Sequence, residues 1–184
     1  MNAEALLARH CPLEREHFAV LLAHSRAVAR LAEGLARSLS LSPEAVAFVR
    51  EAALLHDIGI HATAAPFLGC RGDQPYYRHG ILGRKILESE GLPAHALVCE
   101  RHIGCGITAK DVAERGLLLP RRDMVPVTTE EALVAFADKF FSKDGPAPAM
   151  KHSAAVAAEM AALGPDKAET FASWLARFGD PSAP

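Results

Sequence analysis

Several features that mark large classes of protein are missing from this sequence. Its formal net charge of -2 over 184 residues is far from the basic excess of duplex-binding proteins, so we expect no contact with duplex nucleic acid. No run approaches the ~20 apolar residues that a membrane helix needs, so no membrane partner is expected. The charged N-terminal stretch lacks a signal-peptide core, and the four cysteines form no C-x-x-C pair. Both features favour a cytoplasmic location, where thiols stay reduced.

Aromatic residues other than phenylalanine are scarce, with one Trp and two Tyr, whereas histidine is frequent, with nine copies. Half of the residues are hydrophobic and 23% are charged, which is typical of a globular chain that buries a core. Histidine is the side chain that most often binds metals in proteins. The histidines are therefore the first candidates for a functional site.

Sustained period-two alternation of apolar and polar residues, which would indicate β-strands, is absent as well. Apolar residues instead recur at helical spacing, and Ser42-Pro43 has the N-cap and first-turn proline of a helix start. Thr128-x-x-Glu131 and the similar T-x-x-D at 108–111 have the pattern of capping boxes. Helices are predicted over residues 13–39, 43–59, 79–88, 93–103, 130–142, 151–163 and 165–178.

The predicted fold class is therefore all-α, a single-domain helix bundle with one long loop. That loop covers about residues 62–77 and follows the helix that ends in LLHDIG. Residues 13–145 are predicted to form the core, with Gly145-Pro146 stopping its last helix. Residues 146–184 are predicted to be C-terminal helices that pack on the core and a frayed tail. The same helices are candidates for a homodimer contact.

Four polar residues interrupt apolar helical faces. His24 shares the apolar face of the first predicted helix, His56 and Asp57 end the run AALLHD, and Asp138 lies in LVAFADKFF. A buried carboxylate is costly unless a cation or several hydrogen bonds compensate it. Each residue alone is more often a satisfied core polar group than a metal ligand. Their combination on three helices is a suitable N/O ligand set for a divalent transition metal.

The order H…HD…D in a helical chain, with the second element written HDIG, resembles the HD superfamily of metal-dependent phosphohydrolases. The resemblance extends over about residues 17–143. The stretches YYRHGILGRKIL, GLPAHALVCERHIGCGIT and EEALVAFADKFFSK are similar to small bacterial HDIG-type phosphohydrolases. The resemblance implies an HD-type bundle in which His24, His56, Asp57 and Asp138 bind one metal ion.

Two further histidines bear on the number of metal ions. In two-metal HD proteins, histidines in the regions of His79 and His102 hold a second ion. By that resemblance Asp57 bridges both ions, and Asp57, His79 and His102 are catalytic. The alternative is that His79 is only a helix-start residue and His102 a partner of the helix dipole. The sequence distinguishes neither one ion from two nor Fe, Mn, Co, Zn, Ni and Mg from one another.

Departures from the family pattern bear on the substrate. Many members carry a lysine directly after HDxG, where it meets a phosphate, whereas this chain has Ile60 there. His61 is a candidate substitute, with an exposed loop histidine as the alternative. Arg78, Arg101 and Lys139 each adjoin a candidate ligand and are further candidate phosphate contacts, with Lys139 preferred. The chain lacks the GYP signature of cyclic-dinucleotide enzymes, which argues against that substrate.

The predicted reaction is hydrolysis of a phosphate ester or anhydride, in a nucleotide or another small phosphorylated metabolite, by metal-activated water. The sequence contains neither a G-x-S-x-G elbow nor a G-x-x-x-x-G-K-[ST] loop, which would indicate other chemistry. Two alternatives stay open. Mixed-valence di-iron oxygenases of the HD fold resemble this chain in ligand order, and a degenerate domain could bind a nucleotide as a sensor. A pure sensor would not need all four ligands.

Overall fold

Nine α-helices and one very short hairpin make up the secondary structure of residues 1–143 and 148–183, which the computed structural model describes. The helices are α1 (Ala3–His10), α2 (Arg15–Ser38), α3 (Pro43–Leu55), α4 (His79–Ser89), α5 (Pro93–Arg101), α6 (Ala109–Glu114), α7 (Thr129–Lys139), α8 (Ser153–Leu163) and α9 (Pro165–Phe178). The hairpin strands are β1 (Ala64–Ala65) and β2 (Cys70–Arg71), paired antiparallel. The predicted all-α class is confirmed.

The helix starts follow the local signals in the sequence. The Ser42 hydroxyl accepts a hydrogen bond from the Ala45 amide at 3.2 Å, and proline occupies the first turn of α3. Thr108 and its partner three residues later form the reciprocal capping box of α6. Thr128 caps α7 by accepting from the Glu131 amide, but the Glu131 carboxylate accepts from the Val127 amide instead. The second predicted box is therefore only half formed.

The helix ends differ from the prediction at two places that matter for the site. α3 ends at Leu55, and the chain then tightens into turns, with the Ile58 amide bonded to the Leu55 carbonyl. α7 ends at Lys139 because the Phe140 and Phe141 amides bond to carbonyls three residues earlier, which closes the last turn. The predicted stop at Gly145-Pro146, and with it the predicted 145/146 boundary, lies outside the described residues.

The N-terminal helix α1 was not predicted. It has only eight residues, which is too short for the apolar periodicity to repeat, yet Leu6 and Leu7 are buried against the core. The predicted long loop before α4 is largely ordered by short 3₁₀ turns and by the hairpin. The Thr63 hydroxyl is buried there and donates to the Ile60 carbonyl at 2.8 Å.

The core is centred on α2 and α7, which pack against each other and against α3. Phe136 of α7 is fully buried and is surrounded by aromatic side chains. Its ring centroid lies 5.0 Å from that of Phe140, 5.6 Å from Phe171 and 5.5 Å from Phe178. Since Phe171 and Phe178 belong to α9, this aromatic cluster packs the C-terminal helix pair, α8 and α9, against α7.

We expect Phe136→Leu to lower the free energy of unfolding by about 1–2 kcal/mol, because it removes contacts with these three rings and leaves a cavity among them. Urea unfolding followed by circular dichroism measures the change. Phe67 is 58% exposed and provides the matched control. Phe67→Leu should stay within about 0.5 kcal/mol of the parent protein. Equal effects of the two substitutions would contradict this account of the core.

No helix among residues 1–143 and 148–183 combines the length and the apolar character that crossing a membrane requires.

Candidate metal centre

Six polar side chains meet where five helices converge. One comes from the middle of α2, two from the turn after α3, and one each from the start of α4, the end of α5 and the last turn of α7. All are buried, with at most 7% of the residue exposed. They are His24, His56, Asp57, His79, His102 and Asp138.

Four donor atoms form the first group of this cluster. His24 Nε2 lies 3.1 Å from Asp138 Oδ1 and 3.5 Å from Asp57 Oδ2. His56 Nε2 lies 3.2 Å from Asp57 Oδ2 and 3.3 Å from Asp138 Oδ1. The two Nε2 atoms are 3.3 Å apart. Ligand atoms bound at about 2.1 Å to one ion lie about 3.0–3.4 Å from each other, so these separations suit a shared ion.

Three donor atoms form the second group, on the other oxygen of Asp57. His79 Nε2 lies 3.3 Å from Asp57 Oδ1, and His102 Nε2 lies 3.6 Å from it. The two Nε2 atoms are 3.1 Å apart. Asp57 therefore faces both groups, with one carboxylate oxygen toward each.

Main-chain carbonyl groups fix the orientation of three imidazoles. In each case Nδ1–H donates to the carbonyl three residues earlier in the chain. His56 donates to Ala53 at 2.6 Å. His79 donates to Tyr76 at 2.6 Å and His102 to Cys99 at 2.7 Å. Because Nδ1 carries the proton, a neutral ring turns the lone pair of Nε2 to the centre, which is the tautomer a metal ligand needs.

This arrangement fits a divalent cation. Two Nε2 lone pairs 3.1 Å apart repel each other unless a cation lies between them. Asp57 Oδ1 is buried and accepts no hydrogen bond from the described residues. Imidazole nitrogen and carboxylate oxygen are also the ligand types that Zn, Fe, Mn and related ions share. The donor set therefore could hold one ion at each oxygen of Asp57.

The pKa values follow from burial and from the two carboxylates. Burial lowers the pKa of His79 to about 3 and also lowers that of His102, so both rings are neutral. Burial opposes the charge on His56 too, but Asp57 and Asp138 outweigh it and raise its pKa to about 9. Asp57 keeps a pKa well below its usual range, since His56 and Lys143 more than offset its burial.

Close packing of two backbone segments places His79 beside the HDIG turn. Gly59, the glycine of HDIG, lies against α4 so closely that an added Cβ would stand 2.2 Å from the His79 carbonyl oxygen and from the Gly83 amide nitrogen. Gly83 in turn lies against α5, where an added Cβ would stand 2.3 Å from Cys99 Sγ. The Cys99 thiol donates to the His56 carbonyl at 2.9 Å. The absence of side chains at both glycines lets α3, α4 and α5 bring their histidines together.

The cluster opens into a cleft of about 390 Å³. His79, His102 and Asp138 line its floor, and Lys139 and Lys143 line it beside them. Its walls carry apolar side chains from the loop before α4, the segments that follow α5 and α7, and helix α8. These are Phe67, Tyr76, Ile103, Phe141, Met160 and Leu163.

Comparison with known proteins identifies the family. The family model of the HD domain matches residues 21–142, from α2 to just beyond α7. The chain belongs to the HD domain family. The matched range contains all six residues of the buried cluster, whereas α8 and α9 lie beyond it.

Three curated relatives match part of this chain. An uncharacterised protein of Methanocaldococcus jannaschii is 42% identical over 94 residues, which are 50% of this chain and 48% of that protein. A tRNA (cytidine(56)-2'-O)-methyltransferase of Thermoplasma volcanium is 33% identical over 125 residues, 67% of this chain and 32% of that protein. The same-named protein of Picrophilus torridus is 37% identical over 97 residues, 52% of this chain and 25% of that protein. The match thus spans about half or less of each relative.

Among solved structures, the HD domain of the L. monocytogenes phosphodiesterase PgpH is similar in fold. It superimposes with a TM-score of 0.54 at 16% sequence identity, covering 98% of this chain and 86% of that one. The structure of that domain in complex with cyclic-di-AMP gives the same TM-score and covers 99% of this chain. At this identity the likeness establishes the HD fold.

The HD domain brings only one of the four predicted phosphate contacts to its cleft. Lys139 is there, with Nζ 2.7 Å from Asp138 Oδ2. Arg101 turns away to the Glu131 carboxylate, with Nη1 2.8 Å from Oε1. Arg78 lines a different cavity, and His61 is half-buried outside the cleft lining.

Sequence reasoning missed Lys143. Its Nζ lies 2.9 Å from Asp57 Oδ2 and 3.9 Å from Asp138 Oδ1, and only 11% of its side chain is exposed. Burial disfavours its charge, but the two carboxylates raise its pKa above the ordinary value, so the ammonium group persists. The signal in the sequence is slight, a lysine at the end of the stretch ADKFFSK, beyond the end of α7.

Proposed function

We propose that this HD domain is a metal-dependent phosphohydrolase that cleaves a phosphate ester or anhydride of a small phosphorylated molecule. The observation that carries the proposal is the pairing of a buried four-histidine, two-aspartate cluster with two ammonium groups at the floor of one cleft. A metal site of four imidazoles and two carboxylates next to fixed lysines suits a substrate that is an anion and an electrophile at once. The family resemblance supports the same reaction class.

His24, His56, Asp57 and Asp138 would hold one divalent ion, and His79 and His102 with the other oxygen of Asp57 would hold a second. Ions bound there would supply a water nucleophile at neutral pH and neutralise charge on the phosphoryl oxygens. The protein contributes the fixed ligand geometry, which the main-chain acceptors of three histidines maintain.

The two lysines would orient the phosphoryl group. Lys139 and Lys143 each lie within 3 Å of a carboxylate of the cluster, so an anion above the cluster meets both ammonium groups. Charge-assisted hydrogen bonds of this kind are stronger than neutral ones. Because both side chains are held near the floor, they would hold the phosphorus close to the cluster and stabilise negative charge that builds up during attack.

A nucleotide is the substrate class that the cleft walls favour. The rings of Phe67 and Tyr76 lie 5.8 Å apart between their centroids and form an aromatic edge beside His79. Aromatic side chains next to a phosphate-binding floor suit a ligand with a flat base and a phosphate. The complex of the PgpH domain with cyclic-di-AMP is consistent with a nucleotide ligand.

The C-terminal helices would complete the cleft. Met160 and Leu163 of α8 form its far wall, and the salt bridge between Lys151 Nζ and Glu159 Oε1, at 2.9 Å, lies at its rim. We therefore propose that residues 13–145 are the catalytic core and that residues 146–184 shape the substrate side of the cleft.

The proposal is tested with tag-free protein, by metal analysis and a panel of phosphomonoesters, phosphodiesters and nucleoside polyphosphates assayed with Mn, Co, Fe, Zn, Ni and Mg. The expected result is phosphate or nucleotide release that requires one of these metals and stops with a chelator. Oxygen uptake by iron-loaded protein, without phosphate release, would instead support the di-iron oxygenase alternative. Tight nucleotide binding without turnover under every metal would support the sensor alternative.

We expect Lys143→Met to lower kcat/KM by about a hundredfold, the usual loss when one fixed charge-stabilising donor is removed from a closed site. Metal content, measured by elemental analysis, should stay within about twofold, because none of the proposed ligands changes. Lys110 is exposed and does not line the cleft, so Lys110→Met is the matched control and should keep full activity. Unchanged kcat/KM in Lys143→Met would contradict a role for this lysine in phosphoryl binding.

A further inference from the structure

A second cavity lies on the outer face of α4. Its volume is about 570 Å³, within the range of small-molecule sites, and it shares no lining residue with the metal-site cleft. One side is formed by Arg78, which directly precedes α4, and by the face of α4 that carries Arg84 and Lys85; the other is the segment 118–122. We refer to it as the α4 groove.

The α4 groove carries a positive charge excess although the chain as a whole is acidic. Four cationic side chains line it, namely Arg78, Arg84, Lys85 and Arg122. Two carboxylates line it as well, those of Glu88 and Glu100. The sum is a charge of +2 at a surface cavity of a protein whose formal net charge is -2.

Glu100 holds two of the arginines in fixed positions. Its side chain is fully buried, and its Oε2 accepts from Arg84 Nη1 at 2.7 Å and from Arg122 Nη1 at 2.9 Å. Arg122 also donates to the other oxygen of Glu100 through Nη2. An arginine has five N–H donors, so each guanidinium keeps donors that Glu100 does not use. Guanidinium groups that are already ordered lose little entropy when an anion binds.

The other two cations have no anionic partner among the described residues. Arg78 and Lys85 form no salt bridge there, and Arg78 Nε is buried without a hydrogen-bond acceptor. A buried guanidinium N–H that lacks an acceptor is unfavourable. An anion in the groove would give Arg78 and Lys85 an anionic partner and neutralise the excess charge.

The groove also has an apolar side. Leu118, which is 63% exposed, Leu119 and Pro120 belong to the same segment as Arg122 and lie opposite Arg84 and Lys85 of α4. The Leu118 amide donates to the Tyr77 hydroxyl at 3.2 Å, which anchors this segment. A cavity that combines fixed arginines with an exposed leucine suits a ligand that is anionic at one end and apolar at the other.

We propose that the α4 groove is a second binding site, separate from the metal centre, for a small phosphate-bearing molecule of nucleotide size. The phosphate would contact Arg78, Lys85 and the free donors of Arg84 and Arg122. The apolar portion of the ligand would lie on the leucine side.

The test is a titration of ¹⁵N-labelled protein with inorganic pyrophosphate, at constant ionic strength and without divalent metal. We expect saturable shifts of the Lys85, Leu118 and Leu119 amides. Lys85→Gln and Arg78→Gln should each weaken that response about tenfold, because each removes one charge-assisted contact. Arg30 is exposed on α2 and outside the groove, so Arg30→Gln is the matched control and should bind within twofold of the parent.

Signals of Ile103 and Phe141 report separately on the metal-site cleft, which they line. Shifts confined to those two residues would overturn the proposal, and so would equal weakening by Arg30→Gln, which indicates general charge screening. Circular dichroism of each variant shows whether the fold is retained. If only Arg78→Gln disturbs the fold, the Lys85→Gln result decides.

Discussion

Asp57→Ala should lose its bound metal and at least about a hundredfold in kcat, the largest functional effect that we expect from one substitution. Asp57 presents one oxygen to each group of histidines, so both proposed ions lose a ligand at once. Elemental analysis and the phosphate-release assay measure the two losses. His56→Ala is expected to behave in the same way, whereas the helical circular dichroism of both variants should largely survive.

The matched control is Asp73→Ala, because Asp73 is an exposed aspartate in the loop before α4. It should retain metal and activity. Since Asp57→Ala leaves the buried Lys143 without its nearest carboxylate, some stability will be lost, and Asp57→Asn provides a variant of the same shape. Full activity in a stably folded, metal-free Asp57→Ala protein would refute the metal-centre assignment.

Gly59→Ala should lower the free energy of unfolding by at least about 3 kcal/mol, at the upper end of overpacking effects, because the new methyl group meets main-chain atoms that have no rotamer to change. Its Cβ would stand 2.2 Å from two atoms of α4. The helix must shift, and His79, its first residue, shifts with it. Urea unfolding measures the stability loss, and metal analysis at low temperature measures the disturbance at the second group.

Gly34 provides the matched control for this glycine. It lies inside α2 with nothing within 4 Å of an added Cβ, so Gly34→Ala should raise stability by about 0.5–1 kcal/mol through helix propensity. A Gly59→Ala protein as stable as the parent would contradict the close approach of the HDIG turn to α4.

Periodicity and order in the sequence were sufficient for the helical class and for four of the six residues that the structure brings together, whereas His79 and His102 were predicted from family resemblance. They worked because His24, Asp138 and the HD pair interrupt otherwise apolar helical faces, a pattern that is visible without a fold. The assignment of an activity depended on family resemblance, since the same residues on the same faces fit a hydrolase or an oxygenase. Metal binding by the six remains a prediction.

Residues whose position depends on tertiary contacts were harder to predict. Lys143 stands five residues after Asp138, off the helical face that Asp138 occupies, and the tight turns at Phe140 and Phe141 return it to the cluster. Arg101 was expected near the cleft because it adjoins His102. Glu131 of the distant helix α7 binds it instead, and no local pattern reveals that partner.

The carbonyl acceptors of His56, His79 and His102 belong to the main chain, three residues before each histidine. No single side-chain replacement deletes such an acceptor. The orientation of these three imidazole rings is therefore set by the backbone conformation around each helix end. Cleft walls and lysines can therefore change, by evolution or by engineering, without loosening these three histidines. An engineer who wants a new substrate here has most freedom at Phe67, Phe141 and the face of α8, and least at the glycines that keep α3, α4 and α5 in contact.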